Sequence, residues 1–247
     1  MKSDWLRLTA LFLCFCTVAT CFSAAVFQSF DQVAQSTAVQ ESPKFTVVLD
    51  AGHGGEDGGA VSASGIHEKD VNLAVTMALG ELLSANGISV IYTRKEDVLL
   101  YDKTVDYHGR KKSLDLAARR KIAEDTPNGI FISIHMNAFP QSQYSGFQVW
   151  YSKNSPHSLT LAQTIQTNAT EQLQPENDRR VKPATSSIYL LHRLQCPAIL
   201  VECGFLSNPT EAELLASESY QNQLAFLLFL SITEGISKIS SEISSSP

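Results

Sequence analysis

The sequence predicts a single α/β domain built on buried, mainly parallel strands. Three short apolar runs carry that reading: 45–50, 130–134 and 198–201, each rich in Val, Ile, Leu or Phe and separated from the next by segments of helical periodicity. Continuous apolar runs of this length fit strands covered on both faces, and strands alternating with helices fit one α/β domain. Each run also leads into a residue that can hold a metal ion or move a proton: Asp50-Ala51-Gly52-His53, His135 and Glu202. Ligands of open α/β sheets bind at the carboxyl ends of the strands. Two histidines and a carboxylate from distant stretches are therefore expected on one sheet edge.

The elements follow in order. After the 45–50 strand and a glycine-dense loop, a helix opens at Asp70, carries Val71, Leu73, Ala74, Met77, Ala78, Leu82 and Leu83 on helical spacing, and stops at Asn86-Gly87. Ile88–Tyr92 is the next strand. A helix over 113–125 places Leu114, Ala117, Ala118 and Ile122 inward, and 130–135 is the third strand. Phe147–Tyr151 alternates as a half-exposed edge strand. Ser155-Pro156 starts a helix that runs to Gln174. Ile188–Leu191 is a weaker strand, followed by the strand over 197–203. Asn208-Pro209-Thr210-Glu211 starts another helix, with Glu211 placed for a capping box. A last helix from about Tyr220 carries Leu224, Leu227, Leu228 and Ile232 in an apolar run too short to span a bilayer, so it packs on the sheet.

Net charge is −6 over 247 residues, and nothing in it suggests capture of nucleic acid or of an anionic membrane. The first 25 residues differ in kind: Lys2 and Arg7 precede an apolar run over 8–22, and Ser23-Ala24-Ala25 resembles a cleavage site. This is the layout of a secretory signal peptide, or of an N-terminal membrane anchor if it is not cut. Residues 26–43 read as a linker, 44–239 as the α/β domain and 240–247 as a frayed tail. The domain is thus expected to be exported, either secreted or anchored with its bulk outside. Cys196 and Cys203 lie seven residues apart in a strand pattern, too far apart for a disulfide, and are expected to be free thiols.

Five of the thirteen glycines fall in Gly52-His53-Gly54-Gly55-Glu56-Asp57-Gly58-Gly59. The loop lacks both the P-loop ending and the dinucleotide spacing. It instead leaves room around His53. Glu68 precedes the helix at Asp70, where a carboxylate also suits the helix dipole. His67 is a rival ligand, and Cys203 a rival thiolate. His135 ends a buried strand, with Asn137 two positions on and on the same side if the strand continues. His53, Glu68 and His135 together form a catalytic zinc set: three protein ligands with a fourth position for water. Glu202 then serves as proton acceptor from that water and donor to a leaving amine. Strand alternation faces Leu200 and Glu202 one way and Val201 and Cys203 the other, which weakens Cys203 as a ligand.

Four segments carry a resemblance. Asp50-Ala51-Gly52-His53-Gly54-Gly55, Glu68-Lys69-Asp70, Ser133-Ile134-His135-Met136-Asn137-Ala138 and Glu202-Cys203-Gly204-Phe205-Leu206-Ser207-Asn208 resemble, in order, the signature segments of the zinc-dependent N-acetylmuramoyl-L-alanine amidases, the amidase-3 family. The resemblance implies His53, Glu68 and His135 as Zn2+ ligands, Glu202 as the catalytic carboxylate, and a mixed, mostly parallel twisted sheet with helices on both faces. It implies cleavage of the peptidoglycan amide between N-acetylmuramic acid and the L-alanine of the stem peptide. Within that family, a lone catalytic domain behind one apolar leader resembles the sporulation amidases that prepare spore cortex. Asn137 is a candidate substrate contact. Cys203 replaces a small or aliphatic residue, and the stretch between Phe147 and Ile188 is too short for a long blocking helix. Restraint of activity would then fall to a partner or to timing of expression. The rival readings are a zinc peptidase or deacetylase on the same ligands, and a non-catalytic wall-binding module.

Overall fold

The computed structural model describes residues 44–102, 104 and 107–245. The leader expected over 1–25 and the linker over 26–43 lie outside the described residues. The elements are β1 (Thr46–Ala51), α1 (Glu68–Ala85), β2 (Ser89–Tyr92), α2 (Lys111–Glu124), β3 (Gly129–Asn137), β4 (Gln148–Tyr151), α3 (His157–Gln172), β5 (Lys182–Pro183), α4 (Tyr189–Arg193), β6 (Ala198–Phe205), α5 (Pro209–Ala216) and α6 (Glu218–Ser245). Six strands form one sheet in the order β2-β1-β3-β6-β4-β5. β2, β1, β3 and β6 run parallel, whereas β4 is antiparallel to β6. The sheet is mixed and mostly parallel, as expected.

Strand periodicity sorts the side chains onto two faces. On one, Val47, Leu49, Ile130, Ile132, Ile134, Ile199 and Val201 pack with residues of α1, α3, α5 and α6. On the other, Val48, Phe131, Ala198 and Leu200 pack with residues of α2 and α4. α1 forms because Val71, Val75, Leu79 and Leu83 fall on one stripe and are all buried. Each such side chain contributes about 1.5–3 kcal/mol when removed from water.

Several expectations need correction. Ile188–Leu191 is not a strand: Ile188 caps the short helix α4, and the two-residue β5 takes the sheet edge that β4 was assigned. A four-residue apolar run does not distinguish the two states. In α2 the buried residues are Asp115, Arg119 and Ala123, while Ala117 is exposed. Ile122 packs on the core as expected, but the helix also turns Asp115 and Arg119 inward, which an apolar template cannot detect. Glu211 does not complete a capping box. Asn208 alone caps α5, through the Thr210 and Glu211 amides, and the Glu211 carboxylate takes the Phe205 and Gly146 amides at 2.8 and 3.0 Å. α6 continues through 240–245, where a tail was expected, and its Glu242 accepts from Thr160 and contacts His157. By length and composition α6 could cross a membrane, contrary to the sequence reading. Its buried Leu224, Leu227, Leu228, Ile232 and Ile239 nevertheless belong to the core, and it packs on α1 and α3.

Candidate metal centre and active site

The α2/α4 face of the sheet turns polar toward the carboxyl ends of its strands. Going up by twos, β1 passes from Val48 to Asp50, β3 from Phe131 to Ser133 to His135, and β6 from Leu200 to Glu202. The register places Asp50 beside Ser133, and His135 beside Glu202, which in turn pairs with Gln148 of β4. Glu202 lies on the cavity side while Cys203 is buried in the opposite core, as alternation predicted. Cys196 and Cys203 are free thiols. Burial pushes the Cys203 thiol far up, which argues against a thiolate there.

His53, Glu68 and His135 come together with one donor atom each, all within 4.8 Å of one another, and could hold a metal ion. Glu68 is not ahead of α1 but in its first turn, almost fully buried. Its Oε1 lies 2.8 Å from His135 Nδ1 and accepts the Met136 amide at 3.1 Å. Its Oε2 lies 3.2 Å from His53 Nε2 and accepts the Ala60 amide at 2.8 Å. Burial alone would raise the Glu68 carboxyl, but hydrogen bonds and charge from His135 and His53 hold it well below the usual carboxylate range. Burial likewise opposes protonation of His135, and Glu68 overrides it and raises the imidazole. His53 Nδ1 faces Asp57 Oδ1 at 2.9 Å. A carboxylate at that nitrogen fixes the tautomer a histidine would need in order to ligate, and leaves Nε2 toward Glu68. His67, the rival ligand, is the N-cap residue of α1 and is not in the cluster.

Two glycines make this convergence possible. A Cβ on Gly52 would sit 2.3 Å from His135 Cε1 and Nε2, and one on Gly59 would sit 2.5 Å from Glu68 Oε2 and 2.8 Å from His53 Cδ2. Gly59 also has φ 67°, and His53 itself has φ 62°, a left-handed conformation uncommon outside glycine and costing about 1–3 kcal/mol. The glycines thus admit the rings and carboxylate themselves, beyond leaving space around His53.

Beside the cluster, a cavity of about 270 Å³ is lined by His53, His135, Glu202, Leu116, Tyr189 and Leu200 among others. Glu202 Oε2 is buried without a hydrogen-bond partner among the described residues. Burial first, and then the Glu68 charge, push its carboxyl up to about 7 against the pull of His135 and His53. A carboxyl there can both take and give a proton near neutrality. Asn137 is not among the residues lining this cavity, although β3 keeps its alternation there, with Met136 in the opposite core. The register shift puts its extra residue in β6, between Glu202 and Phe205, and the Asn137 carbonyl accepts the Leu206 amide at 2.8 Å.

Sequence reasoning missed the ionic support beneath the site. Buried Arg119 bonds Asp50 Oδ1 at 2.7 Å and Asp115 Oδ2 at 2.8 Å, and Asp50 also accepts from Thr93 and Ser133. Buried Arg94 donates to the Ala51 and Gly52 carbonyls at 2.9 and 3.0 Å. The available signal was Asp50 itself, a charge closing a buried strand that requires a cation. Asp115 and Arg119 also stand four residues apart on one helix face.

Residues 47–237 match the family model of the N-acetylmuramoyl-L-alanine amidases. A germination-specific N-acetylmuramoyl-L-alanine amidase of Bacillus subtilis (strain 168) is 37% identical over 186 residues, which span 75% of this chain and 77% of the relative. Among solved structures, the CwlD amidase of Clostridioides difficile in complex with the GerS lipoprotein is similar with a TM-score of 0.74 at 40% identity, covering 78% of this chain and 98% of that one. The catalytic domain of CwlV, an N-acetylmuramoyl-L-alanine amidase from Bacillus (Paenibacillus) polymyxa var. colistinus, gives a TM-score of 0.65 at 29% identity, covering 78% and 98%. The match runs from the first strand into the last helix and takes in all four segments on which the resemblance rests, so the chain belongs to the amidase-3 family of N-acetylmuramoyl-L-alanine amidases.

Proposed function

We propose that this chain is a zinc enzyme of peptidoglycan maturation, exported from the cell and acting on spore cortex. Its substrate bond is the amide between the lactyl group of N-acetylmuramic acid and L-alanine of the stem peptide. The observation that carries the reading is the pairing of His135 with Glu202 on adjacent strands, which sets a carboxyl near neutral pKa beside a His-Glu-His cluster.

In this reading His53, Glu68 and His135 hold the ion and Asp57 fixes the His53 tautomer. The donor set of two imidazoles and one carboxylate suits zinc with an open position. The glycines at 52 and 59 are shaped to admit those donors. When bound, zinc supplies Lewis acidity toward the amide carbonyl and lowers the pKa of a water to about 7. Glu202 does the proton work: it accepts a proton from the attacking water and delivers it to the leaving nitrogen as the C–N bond breaks. The products are a muramic lactyl carboxylate and a stem peptide with a free L-alanine amino terminus. Leu116, Ile188, Tyr189 and Leu190 on α2 and around α4 form the cavity wall against which the substrate lies. Asn137, two positions beyond His135 on β3, is kept as a candidate substrate contact. The Clostridioides difficile relative was solved with a lipoprotein, and we extend a companion of that class to this chain.

The test is a digest of purified cortex peptidoglycan, with new amino termini labelled and fragments weighed. The amidase reading expects L-alanine amino termini and glycan freed of whole stem peptides. Cleavage within the peptide, or loss of acetyl groups alone, would replace it with the peptidase or deacetylase reading.

A further inference from the structure

The geometry points to Arg119 as a positioning residue that sets the metal affinity of the site by holding the His53 backbone in its left-handed conformation, an inference that rests on reading the cluster as a zinc site. A guanidinium carries five N–H groups, and Arg119 commits all of them. Nε goes to Asp115 Oδ2 at 2.8 Å, Nη1 to Asp50 Oδ1 and the Ala51 carbonyl at 2.7 Å each, and Nη2 to the His53 carbonyl at 2.6 Å and Asp115 Oδ1 at 3.3 Å. The side chain is 1% exposed. Although it borders the cavity, it has no donor left for a substrate, so its action passes through the chain it grips.

That chain is the segment carrying the ligand. Arg94 takes the Ala51 carbonyl from a second direction and the Gly52 carbonyl at 3.0 Å, and Asn72 also donates to Gly52 at 3.1 Å. Three successive carbonyls, of residues 51, 52 and 53, are thereby drawn to buried donors just where His53 takes φ 62°. Asp57 fixes the ring from its far nitrogen, whereas Arg119 fixes the backbone from which the ring projects. Asp50, held by Thr93 and Ser133, and Asp115, held by the Leu100 amide at 2.7 Å, keep the guanidinium plane from turning. An ammonium group lacks the planar fork needed to serve these acceptors together.

Arg119→Lys in the full chain tests this, with zinc alone as the probe, by competition against a chromogenic chelator. Loss of support behind a ligand typically weakens metal affinity 10- to 100-fold. That fall is expected here with the circular dichroism of the wild type, and excess zinc should restore much of the activity. A purely structural role would lower Tm while leaving the zinc affinity of folded protein unchanged. Folded Arg119→Lys with wild-type zinc affinity overturns the inference. If that variant does not fold, Asp115→Asn, which keeps the side-chain shape, is read in the same competition, with weaker binding expected and unchanged binding again overturning it. Lys121→Gln, on the exposed side of the same helix, should bind zinc as the wild type does. A wild type that binds no zinc would remove the underlying reading as well, whereas zinc binding indifferent to Arg119 removes this inference alone.

Discussion

Replacing Glu202 by Gln should cost activity and change the pH dependence of stability in one measurable way. The Glu202 carboxyl is raised from 4.5 to about 7, chiefly by burial, with Oε2 lacking a partner among the described residues. Such a change corresponds to about 3 kcal/mol. The sign follows from proton binding: between 4.5 and 7 the native state keeps a proton that the unfolded chain has lost, so wild-type stability declines with rising pH across that window. Below 4.5 both states are protonated and the contribution is fully present. The Gln variant cannot titrate, so its advantage over wild type should grow by about 3 kcal/mol between pH 4.5 and 8. A buried amide without partners costs about 1–3 kcal/mol, but that offset is independent of pH and leaves the slope intact. Urea unfolding of metal-free protein at several pH values reads the difference directly. On zinc-loaded protein, loss of the proton carrier should lower the turnover of wall fragments by roughly 10²- to 10⁴-fold. Parallel stability profiles for the two proteins would refute the buried, unpartnered carboxyl. A folded variant with near wild-type turnover would refute its role in catalysis.

Three further outcomes are expected. Gly52→Ala places a methyl 2.3 Å from the His135 ring, and should lower zinc affinity at least roughly tenfold in a protein whose circular dichroism is unchanged; chelator competition checks it. The depressed Glu68 carboxyl stabilises the metal-free fold above the unfolded value of 4.5, and that stability is lost as pH falls below it. Acid unfolding should accordingly be less steep in Glu68→Gln. Cys203→Ser buries a hydroxyl on the face away from the cavity, so it should lose about 1–3 kcal/mol of stability yet keep wild-type turnover per folded molecule.

What the chain disclosed before folding was whatever a period of two or of 3.6 can encode. Strand periodicity was enough to put His135 and Glu202 on one face and Cys203 on the other, because each strand continues unbroken through those positions. Where the regularity fails, so did the reading. Ile188–Leu191 is too short for either period to win, and tertiary packing made it a helix. Arg119 and Asp115 were invisible to a search for apolar stripes, since their burial depends on partners drawn from β1 and the His53 loop. Glu68 was legible as chemistry but not as position: the helix simply begins two residues earlier than its apolar pattern does.

X-ray absorption at the zinc edge of the purified protein tests the central claim most directly. The account predicts about one zinc per chain with a shell of nitrogen and oxygen donors only, at about 2.0–2.2 Å, two of them imidazoles, and its loss in His135→Ala. Absence of bound zinc, or a sulfur scatterer at about 2.3 Å implicating Cys203, would contradict it.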